Sequence, residues 1–354
     1  LRHGGLADVT PLPTDVIDEG PQRTVRRYRL TGKPGGRKVR QPVLLVPPLA
    51  SPPFVFDMRR GCSMAEFLLE REHAVYLVEY GQITFAQRGL GLEHWVDGVL
   101  PQAIRAVSQD NAGRPVHVVG WCLGGTLAAL AAADDPALPI ASIAMIASPV
   151  DATRVPLATP IRALYDLTGG FFVTTAYRAL GIAPGPVVKR AFQLATFDRY
   201  LTRPLRMLQN IEDRDYLEQV ETLNRLMDNM IAYPGRTLGQ LYHDIFRANK
   251  LATGRIELGE HEIDLHVIDK PLLSIAGADD GIAPAAAVHH IKQILPHAQV
   301  KTAPGGHVGV IAGTTAADTT WSMIDDFINR QAGRSSRAGR PARARGTQGA
   351  RQRS

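Results

Sequence analysis

Cysteine is nearly absent. The 354 residues hold two, Cys62 and Cys122. Two cannot build a disulfide framework, so the expected compartment is reducing and cytoplasmic. No CxxC or HxxxH spacing occurs, so no metal site is expected. No apolar run reaches the ~18 residues that a transmembrane helix needs. The opening "LRHGGLADVTPLPTDV" lacks the apolar core of a secretory leader. No internal repeat is present. Acidic residues are missing from 331–354, which carries seven arginines and no lysine. The whole chain has a net charge of +6, so residues 1–330 carry −1 and the basicity belongs to the tail. Small, polar and proline-containing, that tail is expected to be disordered. Its lack of aromatic residues to stack on bases argues against a nucleic-acid partner.

A hydrophobic content of 45% suffices for one large core, or a core with a subdomain. Residues 1–22 read as an irregular arm, and "TVRRYRL" (24–30) as an edge strand. "GKPGG" (32–36) reads as a turn. "PVLLV" (42–46), "AVYLVEYG" (74–81), "PVHVVG" (115–120) and "IASIAMIASP" (140–149) are continuous apolar runs, as buried parallel strands are. Helical spacing separates them at 63–73, 92–109 and 125–133. The alternation predicts a parallel sheet covered on both faces. Between 152 and 255 helical patterns dominate, broken by "TGGFF" (168–172) and "IAPGP" (182–186), and a cap over the sheet is expected. The strand and helix alternation resumes over 256–330. There "DKPLLSIAGADDGIAP", "AAAVHHIKQIL", "AQVKTAPGGH" and the closing amphipathic helix "TTWSMIDDFINRQ" follow in turn.

"HVVGWCLGGTLAAL" (117–130) reads as strand, sharp turn and helix, with Cys122 where hydrolases of that pattern place serine. Such a strained corner needs small neighbours, which Gly120, Gly124 and Gly125 supply. The helix start and a partner imidazole would favour the thiolate. The Leu123 amide is placed to hold an oxyanion. A second donor should come from "VPPLAS" (46–51). Pro47 and Pro48 have no N–H, so Leu49 is the first residue there that can donate. The competing reading of Cys122 is a small buried side chain in a glycine turn. Cys62 has no such setting and reads as structural.

A triad on this scaffold runs nucleophile, acid, histidine along the chain. "SIAGADDGIAP" offers Asp279 or Asp280 as the acid, and "TAPGGHVGV" offers His307. His289 and His290 lie on an expected helix, where one should face solvent. His243, His261 and His266 lie outside any triad position.

Taken together these residues resemble the polyhydroxyalkanoate synthases, in particular their short catalytic subunits. "PVLLVPPLASPPFVFDMRRGCSMAEFLLEREHAVYLVEYG" is similar to their first sheet segment, and "GWCLGGT" to their lipase-like box with cysteine. "SPVDA", "GIAPGPVV", "GADDGIAP" and "PGGHVG" follow in the expected order, and the likeness covers roughly 24–330. It implies an α/β-hydrolase fold with a helical cap. Cys122 would be the acylated nucleophile and His307 its base. Asp280 rather than Asp279 would be the third member, helping to activate an incoming hydroxyl. The implied substrate is a 3-hydroxyacyl coenzyme A thioester, with no cofactor. The implied partner is a second synthase subunit, with a homodimer left open, and the implied location is the cytoplasm at a polymer granule surface. The family commonly has histidine directly after the acid, and here that position is Gly281. Two alternatives stand beside polymer synthesis. One is a thioesterase or esterase using the same three residues. The other is a catalytically idle member that binds granules or a complex.

Overall fold

The computed structural model describes residues 5–30, 40–156, 174–175, 179, 181–195 and 207–338. The turn expected at 32–36 and the break at 168–172 lie outside these residues. Among them, one eight-stranded sheet organises the chain. Its strands are β1 (Thr14–Gly20), β2 (Arg23–Tyr28), β3 (Pro42–Val46), β4 (Ala74–Glu79), β5 (Val116–Trp121), β6 (Ile140–Ile146), β7 (Leu272–Gly277) and β8 (Gln299–Ala303). They lie in the order β1-β2-β4-β3-β5-β6-β7-β8, with β3 to β8 mutually parallel. β2 joins β4 antiparallel, and β1 joins β2 in the same way.

Strand side chains alternate between faces, so each apolar run feeds two cores. Leu44, Val46, Tyr76, Val78, Val116 and Val118 enter one apolar cluster. Their neighbours Val43, Leu45, Val75, Leu77, Val119 and Trp121 enter the other. Burial on both sides explains why these strands read as unbroken hydrophobic segments. Helices cover both faces. α1 (Met64–Glu70) starts on Ser63, whose side chain accepts from the Glu66 amide. A wide π-type turn at His94–Val99 runs into α2 (Leu100–Asp110). α3 (Leu123–Asp134) follows β5 directly and is buried along most of its length, which suits its run of alanines.

Between β6 and β7 the described elements include α4 (Gly185–Ala195) and α5 (Arg214–Asp228). This segment is not purely helical. Ile182–Ala183 pairs with Tyr233–Pro234, and Arg255–Leu258 forms a hairpin with His261–Asp264.

The structure corrects two sequence expectations. Residues 14–20 do not belong to an irregular arm. They form edge strand β1, whose Asp18 pairs with Arg23 at 2.5 Å, while Arg27 of β2 reaches Asp110 at 3.0 Å. At the other end, the last helix, α6 (Ser322–Ala338), continues past 331, where Gln331 is buried.

Candidate active site

The corner between β5 and α3 carries Cys122 at φ 53 and ψ −126. A non-glycine residue in that region costs about 1–3 kcal/mol and persists only where its surroundings impose it. Here the Cys122 amide donates to the Ile146 carbonyl at 2.8 Å, and its carbonyl accepts from Gly125 N at 3.1 Å. The turn closes only without side chains beside it. A Cβ on Gly120 would collide with the Gly125 backbone, and one on Gly124 with the Val46 and Pro47 carbonyls. The first amides of a helix have no intrahelical acceptor, so the Leu123 N–H is left at the thiol's end of α3. The same end carries the positive pole of the helix dipole.

The loop after β3 lies alongside. Tyr80 Oη donates to Pro47 O at 3.0 Å, Ser51 N to Pro48 O at 3.0 Å, and Ile231 N to Ala50 O at 2.8 Å. These bonds hold the loop's carbonyls. The Leu49 side chain is buried in the core, while Pro48, Ala50 and Ser51 line the cavity above Cys122.

The loops after β7 and β8 bring the other two residues together. His307 Nδ1 lies 2.8 Å from Asp280 Oδ2. The second carboxylate oxygen, Oδ1, accepts from the Ile282 and Ala283 amides, both at 2.8 Å. Asp280 and His307 are buried, whereas Asp279 is exposed. Of the two aspartates, Asp280 is the one that meets the imidazole.

His307 Nε2 is buried without a hydrogen-bond partner at rest. Burial alone would push this imidazole down. The charge of Cys122, the hydrogen bond to Asp280 and contact with the thiol outweigh it and raise its pKa to about 10. The protonated form of the ring is thus favoured. Catalytic hydrogen bonds are often long in an unliganded site and tighten in the complex.

Above the thiol is a cavity of about 490 Å³. Its apolar wall includes Phe192 of α4, Leu223 and Met227 of α5, Met230 and Tyr233. Burial, then the charge of Cys122, pushes the Tyr233 phenol up, so it stays neutral. None of these wall residues was legible as such in the sequence: α4 and α5 carry ordinary amphipathic patterns, and Met230 and Tyr233 lie in the short stretch beyond α5. Trp121 was also missed. It lines the cavity and donates from Nε1 to the His307 carbonyl at 3.1 Å.

The remaining candidates sit elsewhere. Cys62 is buried, its Sγ 3.2 Å from the Ala312 carbonyl, and burial pushes its thiol up, so it is structural. Neither His289 nor His290 is an exposed residue: both are half-buried, on the Lys301 and Ala252 carbonyls at 3.0 Å. His261 pairs with Asp134 and His266 with Asp264, and His243 meets Thr174. Among the described residues, Asp97, Asp134 and His261 could gather round a cation. They lie on the surface and do not line the cavity above Cys122.

A cysteine on a strand–turn–helix corner, an acid after β7 and a histidine after β8 define a class. Residues 41–314 match the alpha/beta hydrolase fold family, and the chain belongs to it. Solved structures agree on the fold. A carboxylesterase of Nitrososphaera gargenis superposes with a TM-score of 0.51 at 12% identity, over 91% of this chain and all of its own. The thioesterase domain of the curacin biosynthetic pathway gives 0.51 at 13%, over 89% and 99%.

The sequence likeness is narrower. The chain is 24% identical to the poly(3-hydroxyalkanoate) polymerase subunit PhaC of Thiocystis violacea, over 90% of this chain and 92% of that one. It is 25% identical to the subunit of the same name from Synechocystis, over 82% and 78%. With the subunit of Haloferax mediterranei it shares 22% over 81% of this chain, spanning only 58% of that relative. The resemblance read from the sequence is thereby borne out. Among the described residues, no helix is long and apolar enough to cross a membrane.

Proposed function

We propose that this chain is an acyltransferase that joins 3-hydroxyacyl units from coenzyme A thioesters into a polyester, through an acyl-Cys122 intermediate. The observation that carries the reading is Cys122 at the elbow, in one cavity with a histidine bonded to a buried aspartate. The likeness to polymerase subunits supports the substrate class.

The Cys122 thiolate attacks the thioester carbonyl carbon. The carbonyl oxygen becomes an oxyanion held by the Leu123 and Leu49 amides. The C–S bond to coenzyme A breaks, and the departing thiolate takes the proton from His307 Nε2. The hydroxyl of a second hydroxyacyl unit then attacks acyl-Cys122. Neutral His307 accepts its proton, Asp280 steadies the imidazolium, an ester forms and the thiolate is regenerated. Sulfur suits this cycle. Thioester to thioester transfer is nearly balanced in energy, so the acyl enzyme stays reactive toward an alcohol. A serine would hold the acyl group as a more stable oxygen ester. The apolar wall of the cavity favours the alcohol over water. No cofactor is needed by this scheme. A second synthase subunit, a homodimer and placement at a granule surface in the cytoplasm complete the proposal.

The test is incubation with 3-hydroxybutyryl-CoA, with Cys122→Ala as control. Free coenzyme A is followed and the products are separated. Release with insoluble polymer is the expected result. Release with free 3-hydroxybutyrate alone would make the chain a thioesterase. Equal release by Cys122→Ala would remove the intermediate.

A further inference from the structure

We infer that Trp121 is a positioning residue that fixes His307 relative to the thiol of Cys122. The inference rests on the pairing of Cys122 with His307 proposed above, and not on the identity of the acyl group.

Three hydrogen bonds tie the acid and base loops to each other. His307 Nδ1 meets Asp280 at 2.8 Å, Asp279 N donates to Gly305 O at 3.0 Å, and Ala278 N donates to Ala303 O at 2.9 Å. These bonds would survive if both loops shifted together away from β5. None of them sets the distance to the nucleophile. Trp121 supplies a link to the nucleophile's own strand. It is the last residue of β5, paired with Ile146, and only 5% exposed. Its indole Nε1 donates to the His307 carbonyl at 3.1 Å. Its ring centroid lies 5.2 Å from that of the imidazole, with the planes tilted by 40°.

Asp280 therefore orients the imidazole edge, while Trp121 holds the backbone and one face of the same residue. The anchor and the nucleophile are consecutive in the chain, so movement of the strand carries both. A buried indole N–H needs an acceptor, and the His307 carbonyl supplies it. Trp121 also lines the cavity, so the wall against the acyl group and the strut for the base are one side chain.

The test uses the full chain and alkylation of Cys122 by iodoacetamide from pH 5 to 10, read by peptide mass so that Cys62 is scored separately. This readout needs no acyl substrate. His307→Gln is the reference and Trp121→Phe the probe, since Phe keeps an aromatic ring and removes the N–H. Misplacement of a catalytic group by ~1 Å costs up to about 100-fold, so a loss of about 10-fold or more at pH 7 is expected for Trp121→Phe, with an altered pH profile. In turnover of 3-hydroxybutyryl-CoA, kcat should fall with KM nearly unchanged. A Trp121→Phe protein that melts normally and alkylates with the wild-type rate and pH profile, while His307→Gln does not, would overturn the inference and leave the pairing intact. Wild-type behaviour of His307→Gln would overturn both.

A second measurement avoids substitution. The chain has three tryptophans, so its indole N–H resonances can be resolved and assigned. Carboxamidomethylation of Cys122 should move the Trp121 signal. That of Trp321, bonded to the Ile311 carbonyl, should stay in place. An unmoved Trp121 signal would count against the inference.

Discussion

Asp280 gives one oxygen to His307 Nδ1 at 2.8 Å and the other to the Ile282 and Ala283 amides. The carboxylate is thus fixed from one side and aimed from the other. Asp280→Asn keeps the shape and loses the charge that steadies an imidazolium. Acylation should slow by about 100-fold or more, as for loss of a general base's partner. Asp279→Asn, one residue away and exposed, should leave the rate within about threefold, as expected of a surface position. Burst kinetics with 3-hydroxybutyryl-CoA check both, and equal effects at the two positions would refute the assignment.

Gly120 and Gly124 leave no room for a methyl group. Gly120→Ala should destabilise the protein by about 1–3 kcal/mol or prevent folding, as overpacking against backbone does. Urea unfolding at pH 7 measures this. A stable Gly120→Ala protein with full Cys122 reactivity would contradict the elbow geometry.

His117 lies mid-strand in β5, buried, with Nδ1 2.7 Å from Ser142 Oγ. Burial, helped by the charges of His73 and Arg114, lowers its pKa from 6.5 to about 4. The folded state therefore prefers the neutral ring, and the unfolded chain binds more protons between pH 4 and 6.5. Stability from this group is complete above 6.5 and is lost as pH falls toward 4. The loss amounts to at most about 3 kcal/mol. Urea unfolding at pH 7.5 and 4.5 should show a smaller acid loss for His117→Gln than for wild type. His73, also lowered by burial, accounts for part of the remainder. Identical losses in the two proteins would exclude His117 as a source.

Gly281 is exposed, and a Cβ built on it meets nothing within 4 Å. Gly281→His should fold with stability changed by no more than about 0.5 kcal/mol. If the residue after the acid steers elongation, the substitution should raise the ratio of polymer to free 3-hydroxybutyrate. An unchanged ratio would show that Gly281 has no part in the choice of product.

The sheet and the placement of Cys122, Asp280 and His307 were legible because each rests on a local pattern. Apolar runs such as 42–46 announce buried strands, the glycines around Cys122 announce an elbow, and loops after strands place Asp280 and His307. Asp279 and Asp280 could not be separated that way, because the choice depends on which carboxylate meets a ring 27 residues further on. β1 was hidden because its polar residues find their partners only once the hairpin forms, Asp18 on Arg23 and Asp15 on Arg29. The bond from Trp121 to His307 spans 186 residues and leaves no trace in either segment. The cavity wall depends on how α4 and α5 settle over the sheet, which amphipathic spacing alone does not fix.

The position of β8 at the border of the sheet has a mechanical consequence. Cys122 follows a strand clamped on both sides by β3 and β6. Among the described residues, His307 follows a strand with one neighbour, whose outward residues are partly exposed. The strand behind the nucleophile is the better held of the two, and the base depends on its tie to Trp121 for the same support. Heat or mild denaturant should therefore loosen the border strand first. The two halves of the chemistry would separate, and turnover would fade, while the centre of the sheet is still intact.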